Sequence, residues 1–139
     1  MDAPIERIVA LFRAGVITMA QLHGREDEAY IRRLKDACGI PVIKAVRVET
    51  AQDILARQTS LADFLLLDNG AGGTGSAFNW GLIPSIEKPC FLAGGIHEGN
   101  LEAALALCPY CVDVSSGAES GGFKDREKIL RLVRGVRRN

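Results

Sequence analysis

The sequence predicts an α/β fold built on a parallel sheet, and two observations carry this prediction. Short apolar runs alternate with segments of helical periodicity along the whole chain. Each run is apolar throughout instead of alternately polar and apolar, which is typical of strands covered by helices. Two architectures fit this pattern, an open doubly wound sheet and all or part of a (β/α)8 barrel.

Five apolar runs are predicted as strands, each bounded by glycine, proline or polar residues. They cover residues 19–22, 41–46, 63–67, 90–93 and 111–114. Apolar residues at helical spacing predict six helices around these strands. In chain order the helices cover residues 5–14, 26–38, 51–57, 80–86, 98–107 and 125–136, of which the fourth has the weakest pattern.

Residue types at the boundaries support several of these elements. Gly15 and Gly39 follow the first two helical segments, where a glycine commonly ends a helix. Pro41 then starts the second strand, because proline does not continue a helix. Thr50 stands where the N-cap of the third helix is expected.

Composition and charge limit the classes of function. The chain has 139 residues, of which 47% are hydrophobic and 24% charged, as in an ordinary globular domain, so we expect one domain over residues 1–139. Seventeen basic and seventeen acidic residues leave no net charge, so no nucleic-acid or membrane partner is expected. There is no apolar run of about 18 residues and no signal-like start, which predicts a cytoplasmic protein with reduced cysteines.

Polar and glycine residues follow every predicted strand. Because the carboxyl ends of parallel strands meet at one rim, and functional residues of both architectures lie there, these residues are candidates for a site. They include His23, Gly24, Lys44, Arg47, Asp68, the glycine-rich stretch 70–75, Gly94, Gly95, Asp113, Ser115, Ser116 and Gly117.

Two glycine-containing loops predict a phosphate site. Gly94 and Gly95 precede a helix, and Ser115, Ser116 and Gly117 follow the next strand, so both loops can present backbone N–H groups to an anion. The alternative is that these glycines only form tight turns. The stretch 70–75 does not match a dinucleotide-binding fingerprint, because no helix follows it directly.

Asp68 is the first candidate for chemistry. It ends an apolar strand, and an apolar setting favours the neutral carboxyl that a general acid needs. The alternative role is to cap the loop that follows. His23 is similarly open, since it could polarise a substrate or hold its own loop.

Cys108 and Cys111 form a Cys-Pro-Tyr-Cys segment that matches a redox motif only in letters. A helix precedes this pair and a strand follows it, the reverse of the order in which a helix N-terminus activates a thiol. A zinc site is not expected, because no second cysteine or histidine pair completes four ligands.

At the strand ends the sequence closely resembles the phosphoribosylanthranilate isomerase family of tryptophan biosynthesis. The matching segments are Gln21-Leu22-His23-Gly24, Ile43-Lys44-Ala45-Val46, Leu66-Leu67-Asp68, Gly72-Gly73-Thr74-Gly75, Phe78-Asn79-Trp80, Leu92-Ala93-Gly94-Gly95-Ile96 and residues 112–119. They run in the family's order along nearly the whole chain.

The resemblance implies a partial (β/α)8 barrel, five parallel strands that correspond to the family's strands 4–8. It also implies an aldose–ketose isomerase that converts N-(5-phosphoribosyl)anthranilate to 1-(2-carboxyphenylamino)-1-deoxyribulose 5-phosphate without metal or organic cofactor. By the same resemblance Asp68 is the general acid and His23, Arg47 and Asp113 face the substrate. The implied phosphate-binding residues are Gly73, Gly75, Gly94, Gly95, Ser115, Ser116 and Gly117.

The chain also departs from the family pattern. Ser76 and Asn79 stand where the family often has Lys and Asp. The family's general base, a cysteine in a Lys-Ile-Cys-Gly segment, has no counterpart, so we expect a catalytically incomplete chain. The alternatives are a non-catalytic phosphate-binding partial barrel and, on the Cys108 and Cys111 pair alone, a thiol oxidoreductase. Open strands at both edges predict self-association.

Overall fold

Five parallel strands in sequential order form the centre of the protein. The computed structural model describes residues 1–69 and 77–138, and in it the strand order is β1-β2-β3-β4-β5. The strands are β1 (Ala20–Leu22), β2 (Val42–Arg47), β3 (Phe64–Asp68), β4 (Cys90–Leu92) and β5 (Cys111–Val112). A doubly wound sheet reverses its order partway across, and this sheet does not. It is an arc of a barrel that does not close over the described residues, with β1 and β5 at its edges.

Five of the six predicted helices form, before, between and after the strands. They are α1 (Ile5–Arg13), α2 (Glu28–Cys38), α3 (Ala51–Leu55), α4 (Leu101–Leu105) and α5 (Arg126–Val136). Polar caps begin two of them: the Asp27 carboxylate accepts the Tyr30 N–H at the start of α2, and Asp125 accepts two N–H groups at the start of α5. Gly39, at a φ of +67°, ends α2 as expected.

The structure differs from the sequence-based expectation at two places. The helix expected over residues 80–86 is wrong: only a 3-10 turn forms, Trp80–Leu82. Pro84 explains this difference, because proline disfavours helical geometry in the residue before it, and Ile83 is extended. The second difference is an added hairpin of β6 (Glu119–Ser120) and β7 (Phe123–Lys124), which follows a 3-10 turn, Ser116–Ala118.

The sheet buries its two faces differently. One face packs under the helices, through fully buried residues such as Val42, Leu65 and Leu67. The opposite face is the inner face of the arc, and a small apolar cluster around Ile43 and Leu66 covers it. Because side chains alternate between faces along a strand, each strand-end residue can be assigned to one face by counting from these positions. Among the described residues no helix combines the length and apolar character that crossing a bilayer requires.

Candidate active site

Arg47 and Asp68 are paired directly at the ends of β2 and β3. Both residues belong to the inner face, because every second residue of a strand shares a face. Arg47 follows Ile43 and Ala45 in this alternation, and Asp68 follows Leu66. The pairing is fixed just beyond the strands, where the Val48 N–H donates to the Asp68 carbonyl at 2.8 Å. The two residues therefore lie side by side at the carboxyl-end rim, where the exposed Arg47 guanidinium is paired with Glu49, its Nε 3.0 Å from Glu49 Oε1.

Gly94 lies against the Asp68 side chain. A Cβ atom added to Gly94 would be 2.7 Å from Asp68 Oδ1 and 3.3 Å from the backbone nitrogen of Asn69. Gly94 also has a φ of +81°, a backbone conformation that side chains rarely adopt. The half-buried Asp68 carboxylate thus occupies space that any other residue at position 94 would fill.

Asn100 stabilises the loop that contains Gly94 and Gly95. Its side-chain Oδ1 accepts the N–H of His97 at 2.8 Å, and its Nδ2 donates to the carbonyl of Gly95 at 3.0 Å. Sequence reasoning did not identify this residue. An asparagine five positions after a glycine pair, directly before a helix, is the signal that could have found it.

The second predicted phosphate loop packs against the first. A Cβ atom at Gly117 would be 1.9 Å from the carbonyl oxygen of Ile96 and 2.9 Å from the Cα of His97. The two loops therefore touch through backbone, and only glycine allows this approach. Their strands are adjacent as well, since β4 pairs with β5.

Of the remaining predicted residues, some lie at the same rim after other strands, and some lie outside the residues that the structure describes. Asp113 follows β5 and donates its N–H to the Leu92 carbonyl at 2.8 Å. His23 is exposed and follows β1, two strands from β3, which is about 10 Å at the usual strand spacing. Gly73, Gly75 and Ser76 lie outside the described residues.

Lys44 does not belong to this rim, contrary to the expectation from sequence. It lies within β2 on the helix-covered face, where its ammonium is 3.1 Å from the Gly24 carbonyl and 3.5 Å from Glu26 Oε2. Both side chains are almost completely buried. Sequence reasoning missed Glu26 as its partner, although a lysine within an apolar strand requires a buried carboxylate or carbonyl nearby.

The Glu26 carboxylate is held ionised by its surroundings. Burial alone would raise the pKa of Glu26, but N–H groups of Asp2 and Gly24, each 2.8 Å away, and the charge of Lys44 outweigh burial and lower it. A cleft of about 650 Å³ adjoins this pair, between the start of α2 and the carboxyl-terminal half of α3. The pair braces the β1–α2 loop directly after His23.

None of the four cysteines lies at the rim. All are free: Cys38 ends α2, Cys90 begins β4, Cys108 precedes β5 and Cys111 begins it. Burial raises the pKa of the Cys90 thiol, and burial together with the charge of Asp113 raises that of Cys111. A raised thiol pKa lowers the fraction of thiolate, the form that could act as a base. In the described ranges 1–69 and 77–138, no group of three or more histidine, cysteine or acidic residues could hold a metal ion.

A family model and several curated relatives of this chain name the same activity. The family model for N-(5'phosphoribosyl)anthranilate (PRA) isomerase matches residues 1–135. An N-(5'-phosphoribosyl)anthranilate isomerase of Endomicrobium trichonymphae is 45% identical over 138 residues, which cover 96% of this chain and 68% of that protein. The enzyme of the same name from Lacticaseibacillus casei is 40% identical and is covered over 64% of its length.

Solved structures show the same relationship. Phosphoribosyl anthranilate isomerase from Thermus thermophilus superposes with a TM-score of 0.80 at 32% identity, over 99% of this chain and 69% of that one. A second isomerase, in complex with reduced 1-(o-carboxyphenylamino)-1-deoxyribulose 5-phosphate, has a TM-score of 0.78 at 27% identity. The chain spans about two thirds of the length of these relatives. From the family model and these identities, the chain belongs to the phosphoribosylanthranilate isomerase family, TIM-barrel isomerases of tryptophan biosynthesis.

Proposed function

We propose that this chain carries the proton-donating and phosphate-binding part of a phosphoribosylanthranilate isomerase site. The observation that supports this most directly is the position of Asp68, at the rim on the inner face of the sheet and against Gly94. The Gly94 loop in turn touches the Gly117 loop, so the proposed acid and the proposed phosphate loops adjoin each other. This arrangement suits a small phosphorylated sugar whose ring lies next to its phosphate.

In the proposed reaction the Asp68 carboxyl group donates its proton to the ring oxygen of the phosphoribosyl group. The bond from C1 to that oxygen breaks, while the lone pair of the anthranilate nitrogen forms the double bond of a Schiff base at C1. A base then removes the proton from C2, and the electron pair left there forms an enolamine. Protonation of C1 and loss of the hydroxyl proton at C2 give the aminoketose.

The phosphate of the substrate is assigned to two loops. Gly94 and Gly95 form one, and Ser115, Ser116 and Gly117 form the other, since backbone N–H groups and hydroxyls suit an anion. Gly73 and Gly75 are assigned to the phosphate by family resemblance alone. The substrate-facing roles of His23, Arg47 and Asp113 rest on their placement at the same rim.

A second function is a phosphate-binding partial barrel without turnover. The open sheet favours it, because β1 and β5 have no partner on their outer sides among the described residues. The position of the four cysteines also favours it, because a base that takes the proton from C2 must reach the rim.

The proposal extends to the state of the chain in solution. Residues 1–139 form one domain, and the two open edges of the sheet pair with other copies of the chain. Four free cysteines suit the reducing environment of the cytoplasm, where we place the protein. Sedimentation at micromolar concentration tests the association, and a sharp monomer at all concentrations would refute it.

Turnover and phosphate affinity of the chain, compared with Asp68→Asn, test the two functions. If the chain is an isomerase, we expect it to convert N-(5-phosphoribosyl)anthranilate above background. We expect Asp68→Asn to reduce turnover about a hundredfold or more and to retain the phosphate affinity. Phosphate binding without turnover would instead support the second function. A chain that neither binds phosphate nor turns over would refute both.

A further inference from the structure

Lys124 folds back over the second phosphate loop. Its Nζ atom lies 3.0 Å from the carbonyl oxygen of Ser115, 3.5 Å from the Ser115 hydroxyl and 2.7 Å from Glu119 Oε1. Lys124 comes nine residues after Ser115, so the hairpin brings together groups that are separate in the sequence. The family resemblance assigned Lys124 no role.

The short hairpin of β6 and β7 fixes this placement. Lys124 pairs with Glu119 across the hairpin, and a two-residue turn of Gly121 and Gly122 joins the strands at φ values of +58° and +83°. Positive φ at both positions is typical of a type I′ turn, which matches the twist of paired strands. The Asp125 N–H donates to the Ala118 carbonyl at 2.8 Å and ties the hairpin back to the loop.

The proposed phosphate loops contain no positively charged side chain of their own. Backbone N–H groups and serine hydroxyls offer partial charges, whereas a phosphate monoester carries a charge of about −1.5 to −2 at neutral pH. Lysine is a common phosphate partner because its ammonium is a compact charge with three donor hydrogens. Lys124 contacts Ser115, a residue of the loop itself.

We propose that Lys124 supplies the cation of the phosphate site, and that Glu119 holds its ammonium in place and competes with the phosphate for it. This inference rests on the proposed function, since it takes the loops of Gly94 and Ser115 as the phosphate site. When a phosphate monoester binds beside Ser115, Lys124 turns donors from Glu119 toward the phosphate oxygens. Lys124 and Glu119 therefore act on phosphate affinity in opposite directions.

A purely structural ion pair makes the contrary prediction. If Lys124 and Glu119 only held the hairpin together, removal of either charge would loosen the Ser115 loop and weaken binding in both cases. The pair is largely exposed on its lysine side, and exposed pairs of this kind contribute little to stability. The two single variants therefore separate the explanations without unfolding the chain.

The test titrates inorganic phosphate and ribose 5-phosphate into the chain and into Lys124→Gln, Lys124→Arg and Glu119→Gln. Arg126→Gln is the control, since Arg126 is an exposed cation nearby that pairs with Glu127 at 3.1 Å. We expect affinity to fall about fivefold to tenfold in Lys124→Gln and to be largely kept in Lys124→Arg. We expect it to rise about twofold to fivefold in Glu119→Gln and to stay unchanged in Arg126→Gln.

Salt dependence gives a second measurement. Loss of one cation that contacts the anion lowers the slope of log affinity against log salt concentration, which a loosened hairpin would not do. Equal weakening in Lys124→Gln and Glu119→Gln, or unchanged affinity in Lys124→Gln, would overturn the role of Lys124 alone. A wild-type chain that binds neither ligand would overturn the phosphate site as well, so the two failures are distinguishable.

Discussion

The Oδ1 atom of Asp68 lies 2.7 Å from the point that a Cβ atom of residue 94 would occupy. Gly94 therefore does more at this position than permit a turn. Because Gly94 has no side chain, the carboxylate of the proposed acid can occupy the space beside it. The pairing of β3 with β4 holds both residues in register. Leu67 directly precedes Asp68, Leu92 lies two residues before Gly94, and Leu67 and Leu92 are partners in the sheet.

Gly94→Ala tests this relationship. The new methyl group would displace the Asp68 carboxylate, and alanine at a φ of +81° would add backbone strain of about 1–2 kcal/mol. We expect turnover, or phosphate affinity if the chain has no turnover, to fall at least about tenfold. Kinetic assays measure turnover, phosphate titration measures the affinity, and urea unfolding measures the cost of the strain to stability.

Gly39→Ala is the matched control for that variant. Gly39 has a φ of +67°, and no atom lies within 4 Å of its added Cβ, so the substitution brings strain without a clash. We expect a similar strain cost of about 1–2 kcal/mol and no effect on the site. Equal functional losses in both variants would show that strain, and not the contact with Asp68, matters at Gly94.

Gly117→Ala probes the contact between the two phosphate loops. A methyl group 1.9 Å from the Ile96 carbonyl cannot be accommodated unless the backbones separate. Such overpacking costs about 1–3 kcal/mol, and we expect phosphate affinity to fall because the loops move apart. Gly15→Ala serves as the comparison, since Gly15 follows α1, away from both loops, and its Cβ would meet no atom within 4 Å. Phosphate affinity that survives Gly117→Ala intact would mean that the loops bind no common ligand.

The order of the elements and the rim position of Asp68 could be predicted from the sequence because they depend on local patterns. Apolar runs, helix-ending glycines and residues just past a strand are all visible within a few positions. The face to which Lys44 points could not be predicted this way. It depends on an alternation that a uniformly apolar strand hides, since both neighbours of Lys44 are apolar whichever way it faces.

Contacts between segments that are distant in the chain could not be predicted from the sequence either. The approach of Gly117 to Ile96 and the return of Lys124 to Ser115 depend on how two loops and a six-residue hairpin fold in space. The hairpin strands are two residues long, too short to show a periodicity. Such contacts explain why the glycine and serine loops could be proposed as a phosphate site while their cation could not.

The buried pair of Glu26 and Lys44 is expected to be essential to the β1–α2 region. Glu26→Gln would leave the Lys44 ammonium without its counter-charge in a buried position, which costs about 3–5 kcal/mol. Lys44→Met removes the cation instead and leaves Glu26 with two N–H partners, so we expect a smaller loss. Urea unfolding measures both. If the double variant is no more stable than the sum of the two losses predicts, the residues are not coupled.

Acid destabilisation of the protein should depend on Glu26. Its pKa in the folded chain lies below the ordinary value of 4.5, so the unfolded chain binds a proton first as the pH falls. The stability that Glu26 contributes is therefore complete above about pH 4.5 to 5 and is lost as the pH drops through its lower folded pKa. Asp63 adds to the same trend: burial would raise its pKa, but the hydrogen bond from Lys35 and the Val42 N–H lower it.

Unfolding free energies measured between pH 7 and pH 3 check this prediction with Glu26→Gln as the variant. Glutamine cannot titrate, so the variant should lose less stability than the wild type between pH 5 and pH 3, and the two curves should converge toward acid pH. Asp53→Asn is a useful comparison, because Asp53 lies at the exposed start of α3, where the Thr50 N–H lowers its pKa from 2.7 Å away. Asp53→Asn should change the pH dependence of the unfolding free energy between pH 5 and pH 3 less than Glu26→Gln does, since an exposed carboxylate is better solvated when it ionises. Parallel curves for wild type and Glu26→Gln would show that Glu26 is not the group whose protonation destabilises the fold.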